Sequence, residues 1–420
     1  MLDLNLEFHK LKFPEYQKYF QNLEKWNNYD ETAKKYQQLS SKIYSENNKK
    51  VVNGENPEFF AEIMEKITEK KPDIIAFSIV YSSQAFYAYA LLKEIKEKLS
   101  KVKTIIGGPA VNEKLKMAAD ETLNNEVEFL EFINGGKADH DQLNLNIVPD
   151  FSGYRLNEYF TPYPVIPIRT SNTCYYQQCS FCSHFRKIPY CEFSLEDVKE
   201  TIIKSKQKHF FLIDDMIPVK RLLKIAEMMK PLNVKWTCQL KPTKDFNNSV
   251  FNHPVLKELK ESGLSMVIWG VESGNDRVLN LMKKGTNRKD IEKVLSASHQ
   301  AGIKNVTYIM FGFPGERKEE FLETIGFLKD NSQNIDLVSV SIFGLQKGSS
   351  VHKNPEKFGV VDIIAEKRTI LDEKLSYRVK EGLSGSEAEK LRNSHKKTIE
   401  KINKYPKMMN FFREHMFCLS

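Results

Sequence analysis

The sequence predicts an α/β fold: a six-stranded parallel β/α array from Val165 onward, with a smaller Rossmann-like βαβ unit ahead of it. Three observations carry that prediction. From Val165, apolar strand-like runs recur at intervals of roughly 25–40 residues with helical patterns between them, the rhythm of parallel β/α architecture. PDIIAFSIVY (72–81), SSQAFYAYALLKEIKEKL (82–99) and VKTIIGGPAV (102–111) read as strand, helix and strand. The 420 residues, 41% hydrophobic and 28% charged, also suffice for two domains with their own cores.

Taken in order, residues 1–70 are rich in Tyr, Phe, Lys and Asn, and FPEYQKYFQNLEKW has the spacing of a helix face (Phe13, Tyr16, Tyr19, Phe20, Leu23). The polar stretch SENNKKVVNGENPE (45–58) reads as a loop before the helix FFAEIMEKITE. In the βαβ unit, the nearly continuous apolar run 72–81 predicts a strand covered on both faces. Gly107 and Gly108, at the end of the second strand, predict a backbone that a ligand approaches closely. Residues 138–164 form a connector. Strands are then expected at 165–169, 209–215, 234–240, 265–272, 304–311 and 336–343. Ser194 with Asp197, Pro218 and Asn287 mark the starts of intervening helices. In the last strand, Val338, Val340 and Ile342 should pack on helices, while Ser339, Ser341 and Phe343 face the opposite way, the serines toward a polar cavity. From 345 on, LQKGSSVHKNPEKFGV reads as a loop, followed by charged helices.

Half of the six cysteines fall within nine residues: Cys174, Cys179 and Cys182, on a polar loop after the strand VIPI. An ordinary iron–sulfur cluster takes four cysteines, so three on one loop imply an iron left open for a non-protein ligand. With His184 the same donors would also suit a structural zinc site. Active sites of β/α barrels lie at the carboxyl ends of the strands. Those ends carry Asp214 and Asp215, Gln239 and Lys241, Glu272 and Ser273, and the turn Gly312 to Glu316. Cys191, Cys238 and Cys418 have the bland reading of buried small hydrophobes; Cys238, on the third strand, alternatively faces the cavity, where the radical chemistry that the resemblance below implies would make it a hydrogen-atom donor.

The stretch PDFSGYRLNEYFTPYPVIPIRTSNTCYYQQCSFCSH resembles the radical SAM superfamily, and within it the cobalamin-binding enzymes of ribosomal peptide maturation. Segments of that group look like PDFS…YFSPEPVLP…TSRGCYWxxCxFCSH and share the extra residue of C-x-x-x-x-C-x-x-C. The resemblance implies a partial six-stranded barrel (165–345), a [4Fe-4S] cluster on Cys174, Cys179 and Cys182, and S-adenosylmethionine on the open iron. By the same resemblance, Phe181 lies against the adenine, and IDDM (Asp214, Asp215) meets the methionine amino group. WGVESGNDRVLNLMKKGT brings Glu272 and Ser273 to the ribose, and MFGFPGE, with Gly312, supports the adenosine. Relatives often show E-x-R on the third strand; here it is Gln239-Leu240-Lys241, which cannot form the same bidentate pair.

Residues 1–137 resemble a helical region plus the family's cobalamin-binding domain in eroded form, without a clear first strand, an acidic glycine turn or a D-x-H-x-x-G motif. The expectation is therefore a protein that works without tightly bound cobalamin. The chemistry implied is reductive cleavage of S-adenosylmethionine to a 5′-deoxyadenosyl radical, which abstracts hydrogen from an unactivated carbon, with a flavodoxin or ferredoxin as reductant. A ribosomally made peptide is the expected substrate, for epimerisation, crosslinking or another C–H modification. The alternatives are cobalamin-dependent C-methylation, a small-molecule or lipid precursor as substrate, and a non-catalytic zinc-stabilised binding protein. Residues 346–420 are expected as a helical extension whose FFREHMFCLS resembles the R-x-H-aromatic ending of the peptide-maturation relatives. The net charge of +8, from 63 basic against 55 acidic residues, is spread along helices and predicts no nucleic-acid surface. No apolar run suits a membrane span, the start MLDLNLEFHKLKF is no signal peptide, and unevenly spaced thiols suit the cytoplasm.

Overall fold

The structure is a computed structural model that describes residues 28–136, 148–183, 189–246 and 254–419. The aromatic helix face expected at 13–23, and His184, lie outside the described residues. Two compact units emerge, one within Glu31–Leu145 and Ala365–Lys374, the other within Leu23–Asp30, Asn146–Ile364 and Leu375–Ser420.

The smaller unit holds a parallel sheet in the order β1 (Ile74–Ser78), β2 (Lys103–Gly107), β3 (Glu121–Leu123). Helix α1 (Tyr29–Val52) runs through residues 45–52, where a loop was expected. Tertiary contacts decide this: Val51 is buried, and the Asn47 side chain accepts from the Glu58 amide at 2.9 Å. Helix α2 (Phe60–Glu69) follows, and α3 (Ala85–Lys98) connects β1 to β2 through Ala85, Ala88, Leu92 and Ile95, all buried. Asn112 and Asn125 cap the next two helices, α4 (Glu113–Ala118) and α5 (Glu126–Ile133), each accepting from a backbone amide three residues on. Strand β1 departs from the expected double burial, because Ile74, Ala76 and Ser78 are exposed on one face. The Gly107–Gly108 pair is also explained within the chain: a Cβ on Gly108 would stand 2.5 Å from the Ile79 carbonyl oxygen. The missing side chain there admits neighbouring backbone rather than a ligand.

The larger unit holds six parallel strands in sequential order: β4 (Val165–Ile168), β5 (His209–Leu212), β6 (Lys235–Leu240), β7 (Leu264–Glu272), β8 (Lys304–Phe311) and β9 (Leu337–Ile342). Between them run α6 (Leu195–Ser205), α7 (Val219–Met229), α8 (Val255–Glu261), α9 (Asp276–Leu281), α10 (Arg288–Gln300) and α11 (Lys318–Asp330). Ser194 and Asn287 accept from the amides of Asp197 and Asp290, so the expected caps of α6 and α10 form. Period-two alternation separates the two faces of the sheet. Trp236, Cys238 and Leu240, Trp269 and Val271, and Ile309 and Phe311 share one core with the covering helices, and Val338, Val340 and Ile342 pack on it as expected. Polar groups inside this core are matched: Trp269 Nε1 donates to Asn305 Oδ1 at 2.8 Å, and Asn305 Nδ2 donates to the Leu295 and Asn334 carbonyls. Each large side chain buried here contributes about 1.5–3 kcal/mol of transfer free energy.

The sheet curls into a partial barrel, because one short terminal segment reaches both of its edges. Around α14 (Arg413–Cys418), Asn410 donates to the Val338 carbonyl, Arg413 to Ser339 Oγ, His415 to the Phe160 carbonyl, and Cys418 Sγ to the Tyr163 carbonyl. A six-residue helix is only roughly 9 Å long, so β9 and the approach to β4 are near one another. The rest of the C-terminal part is not wholly helical as expected. Strands β10 (Val360–Glu366) and β11 (Lys374–Val379) form a two-stranded sheet before α12 (Gly385–Ser394) and α13 (Lys396–Glu400). Among the described residues no helix is long and apolar enough to cross a membrane.

Candidate functional site

The cysteine loop leaves β4 and is fixed from three sides. Asp214, after β5, accepts from the Thr170 amide at 3.0 Å and from Ser171 Oγ at 2.6 Å. Ser180 donates through its amide and its hydroxyl to the carbonyls of Met282 and Leu281, which ties the loop to the end of α9. Tyr176 donates its hydroxyl to the Lys283 carbonyl at 2.8 Å. Cys174, Cys179 and Cys182 are half-buried thiols, none of them in a disulfide. Among the described residues, no three His, Cys, Asp or Glu side chains gather tightly enough to hold a single ion.

Two buried lysines stand beside these thiols. Lys241 Nζ lies 3.0 Å from the centroid of the Tyr176 ring, and burial together with the charge of Lys284 brings its pKa down to about 8. Lys284 Nζ donates to Glu272 Oε1 at 2.9 Å. Burial works against its charge, but Glu272 and Cys179 outweigh that and raise its pKa above the ordinary value. Burial pushes the Cys179 thiol up, while both ammonium groups pull it back toward thiolate. Gly270 makes room for the pair: a Cβ there would meet Lys284 Nζ at 2.9 Å and Glu272 Oε1 at 3.1 Å. Three thiols with two cations at hand suit a metal centre bound through thiolates, since the cations offset the negative charge that such ligands gather.

The remaining expected residues divide. Glu272 shares the inner face with Gly270 and takes a left-handed φ of 68°. Ser273 instead shares the buried face with Val271, and its hydroxyl bonds Thr324 Oγ1 at 3.1 Å. It does not accompany Glu272 toward a ribose, which corrects that expectation. Asp214 is buried and spent on Thr170 and Ser171, so it positions the cysteine loop rather than presenting its carboxylate; Asp215 is exposed. Cys238 is fully buried beside Trp236 and Leu240, because even positions of β6 face the helices. The cavity-facing role expected for it is corrected on that ground. Cys418 is buried as expected, whereas Cys191 is exposed. Gln239 lies on the inner face and is half-buried. Phe181 packs on the cluster of Val278, Met282, Phe313 and Phe343, with Lys284 Nζ 5.7 Å from its ring. Gly312 donates its amide to Glu316 and accepts from the Tyr377 hydroxyl at 3.1 Å. Glu316 is fully buried with Oε1 unpartnered, and burial pushes its pKa up to about 8.

Sequence reasoning missed Lys284, Gly270, Tyr308 and Arg413. Lys284 is the second of two adjacent lysines, and only its partner Glu272 sets it apart. Tyr308 had a signal, since it carries a polar hydroxyl between Val306 and Met310 on the inward positions of β8.

In the smaller unit, the loops after β1 and β2 lie at the strands' carboxyl ends, where such sheets bind ligands. A cleft of about 740 Å³ there is lined by Tyr44, Asn48 and Val52 of α1 and by Ser83 and Phe86 after β1. Residues 48–125 contain no histidine, so this segment supplies no imidazole ligand to a cobalt ion.

Residues 168–328 match the Radical SAM superfamily model, and residues 48–125 match the B12 binding domain. An uncharacterized methyltransferase of Pyrococcus horikoshii is 25% identical over 337 residues, 69% of this chain and 72% of that protein. The cobalamin-dependent S-adenosylmethionine radical enzyme OxsB, with aqua-cobalamin and S-adenosylmethionine bound, has a similar fold: TM-score 0.60 at 15% identity, over 86% of this chain and 64% of that one. So has the radical S-adenosylmethionine methyltransferase TsrM from Kitasatospora setae, with a TM-score of 0.63 at 12% identity, over 82% and 81% of the two chains. The N-terminal match includes β3, which the sequence reading passed over, and agrees with the cobalamin-type domain expected there. This chain joins a B12-binding domain, within residues 48–125, to a radical SAM domain, within residues 168–328.

Proposed function

We propose that the protein is a cobalamin-dependent radical SAM methyltransferase. The observation that carries this reading is the presence in one chain of a B12-binding domain and of three closely spaced thiols flanked by buried Lys241 and Lys284. It replaces the cobalamin-free peptide chemistry expected from sequence, and the similarity to a Pyrococcus methyltransferase supports the change.

In this reading Cys174, Cys179 and Cys182 hold a [4Fe-4S] cluster, and Lys241 and Lys284 balance its charge. Glu272, held by Lys284, orients the ribose of S-adenosylmethionine, Phe181 covers the adenine, and the exposed Asp215 is assigned to the methionine amino group. The loops after β1 and β2 receive the corrin. When bound, these groups supply one-electron cleavage of the sulfonium and a carrier for the methyl group. A one-electron donor such as flavodoxin or ferredoxin completes the system.

The test is anaerobic reconstitution with iron, sulfide and hydroxocobalamin, followed by desalting. Near-stoichiometric corrin absorbance should stay with the protein, and S-adenosylhomocysteine should form together with 5′-deoxyadenosine under reduction. Corrin that washes out while 5′-deoxyadenosine still forms would return the protein to hydrogen abstraction alone.

A further inference from the structure

Three inner-face positions stand level across the barrel, since Gly270 pairs in register with Tyr308 and Tyr308 with Ser339. At the Gly270 end lies the Lys284–Glu272 ion pair. At the Ser339 end lies Arg413, brought in by the terminal segment that spans the barrel's open side. Its guanidinium carbon is 4.8 Å from the centroid of the Tyr308 ring, and Nη2 reaches Ser339 Oγ only at 3.4 Å. Arg413 Nε is buried and has no hydrogen-bond partner. No carboxylate among the described residues forms an ion pair with it, although Glu414 is its neighbour in the chain.

The inner face in front of this group is polar and partly exposed. Gln239, Tyr308 and Ser339 are half-buried and Ser341 is exposed, although all four occupy inward positions of their strands. The charges of Glu272 and Arg413 both act on the Tyr308 phenol, whose pKa burial raises first. The lumen thus carries an ion pair on one side of Tyr308 and, on the other, a cation that acts on the Glu414 carboxylate without forming an ion pair with it. A guanidinium with a buried, idle donor is costly unless an anion joins it, and its planar fork suits a carboxylate.

We propose that Arg413, with Ser339 beside it and Tyr308 beneath it, is a specificity site that anchors a carboxylate of the substrate. The anchor selects a slim, acid-bearing molecule or side chain that reaches past the Glu272 end into the lumen. Where the reacting carbon lies relative to that anchor rests on the radical SAM reading above; the anchor itself does not.

The experiment uses the full chain labelled with [15N]arginine, both cluster-free and reconstituted, and titrates it with sodium propionate. The Nε–H resonance that disappears in Arg413→Lys identifies the group. It should shift saturably with propionate, and not with propionamide or with sodium chloride at equal ionic strength. In thermal unfolding, propionate should stabilise wild type over propionamide, with affinity about ten- to hundredfold weaker in Arg413→Gln. An unmoved Nε–H signal, or equal shifts with chloride or propionamide, overturns the anchor. If cluster-free protein binds propionate but reconstituted protein fails to cleave S-adenosylmethionine, the proposed function falls and the anchor stands.

Discussion

Two parallel sheets in this chain were built from similar-looking sequence and ended in different surroundings. In β7, LSMVIWGVE, eight of nine residues are buried; in β1, IIAFS, exposed and half-buried residues alternate. Both read as apolar runs. What separates them is the number of neighbours that cover each strand: β7 lies between β6 and β8 under α8, while β1 pairs only with β2 among the described residues. Apolar content therefore marks a parallel strand, but the rest of the sheet decides whether it is covered on both faces.

The largest expected effect tests whether the two sheets serve two separate cofactors. The triple variant Cys174→Ala, Cys179→Ala, Cys182→Ala should lose all cluster iron and sulfide, measured after reconstitution, and all cleavage of S-adenosylmethionine. Corrin retention on a desalting column should be unchanged, because the loops after β1 and β2 contribute no cysteine. Loss of both together would join the two sites into one.

A matched pair of substitutions measures the difference between the sheets directly. Ile268 on β7 is 2% exposed, and Ile74 on β1 is 44% exposed. Ile268→Ala should destabilise by about 2–5 kcal/mol through lost burial and the cavity left behind. Ile74→Ala should stay within about 0.5 kcal/mol. Urea unfolding followed by circular dichroism reads both. A cost at Ile74 as large as that at Ile268 would mean that the outer face of β1 is covered after all.

The same contrast explains what was legible beforehand. All six barrel strands fall within a few residues of their expected positions, because their apolar runs are long and their helices begin at Ser194, Pro218 and Asn287. The cysteine loop was legible because three thiols at close spacing have few other uses. The inner face of the barrel was harder. Asp214, Ser273 and Cys238 have the right chemistry at the right strand ends, yet each points to a structural partner instead. A strand end tells which residues are near the site, and one residue of phase decides which of them enter it. Arg413 could not be assigned from sequence, since it reaches the lumen from a segment more than seventy residues beyond β9 and meets Ser339 only in the fold. Strands β10 and β11 were missed because alternating charged residues, as in KLSYRV, fit an exposed ribbon as well as a helix surface.

The three-stranded sheet leaves β1 unpaired on one side among the described residues, and the smallest effect concerns how the barrel secures its own open edge. His415 sits at that edge, buried between Phe160 and Phe412, with its ring stacked on Phe412 at 5.0 Å. Nε2 lies 2.7 Å from the Phe160 carbonyl, which can only accept, so Nε2 carries the proton and Nδ1 accepts from the Tyr29 hydroxyl at 2.7 Å. Burial brings the pKa of His415 down to about 4, against 6.5 for an ordinary histidine. The folded chain therefore holds the added proton less readily than the unfolded chain. Its contribution is fully present above pH 6.5 and is lost progressively as the pH falls through that value toward 4. Between pH 7 and pH 5 the loss from this residue should be about 1–2 kcal/mol. His415→Gln removes the titration while leaving an amide that can still donate to the Phe160 carbonyl. The variant will be less stable than wild type at pH 7, and the gap should narrow toward pH 5 when both are unfolded in urea. A gap that stays constant over this range would show that His415 does not titrate differently in the fold, and that the clasp holds the barrel edge by packing alone.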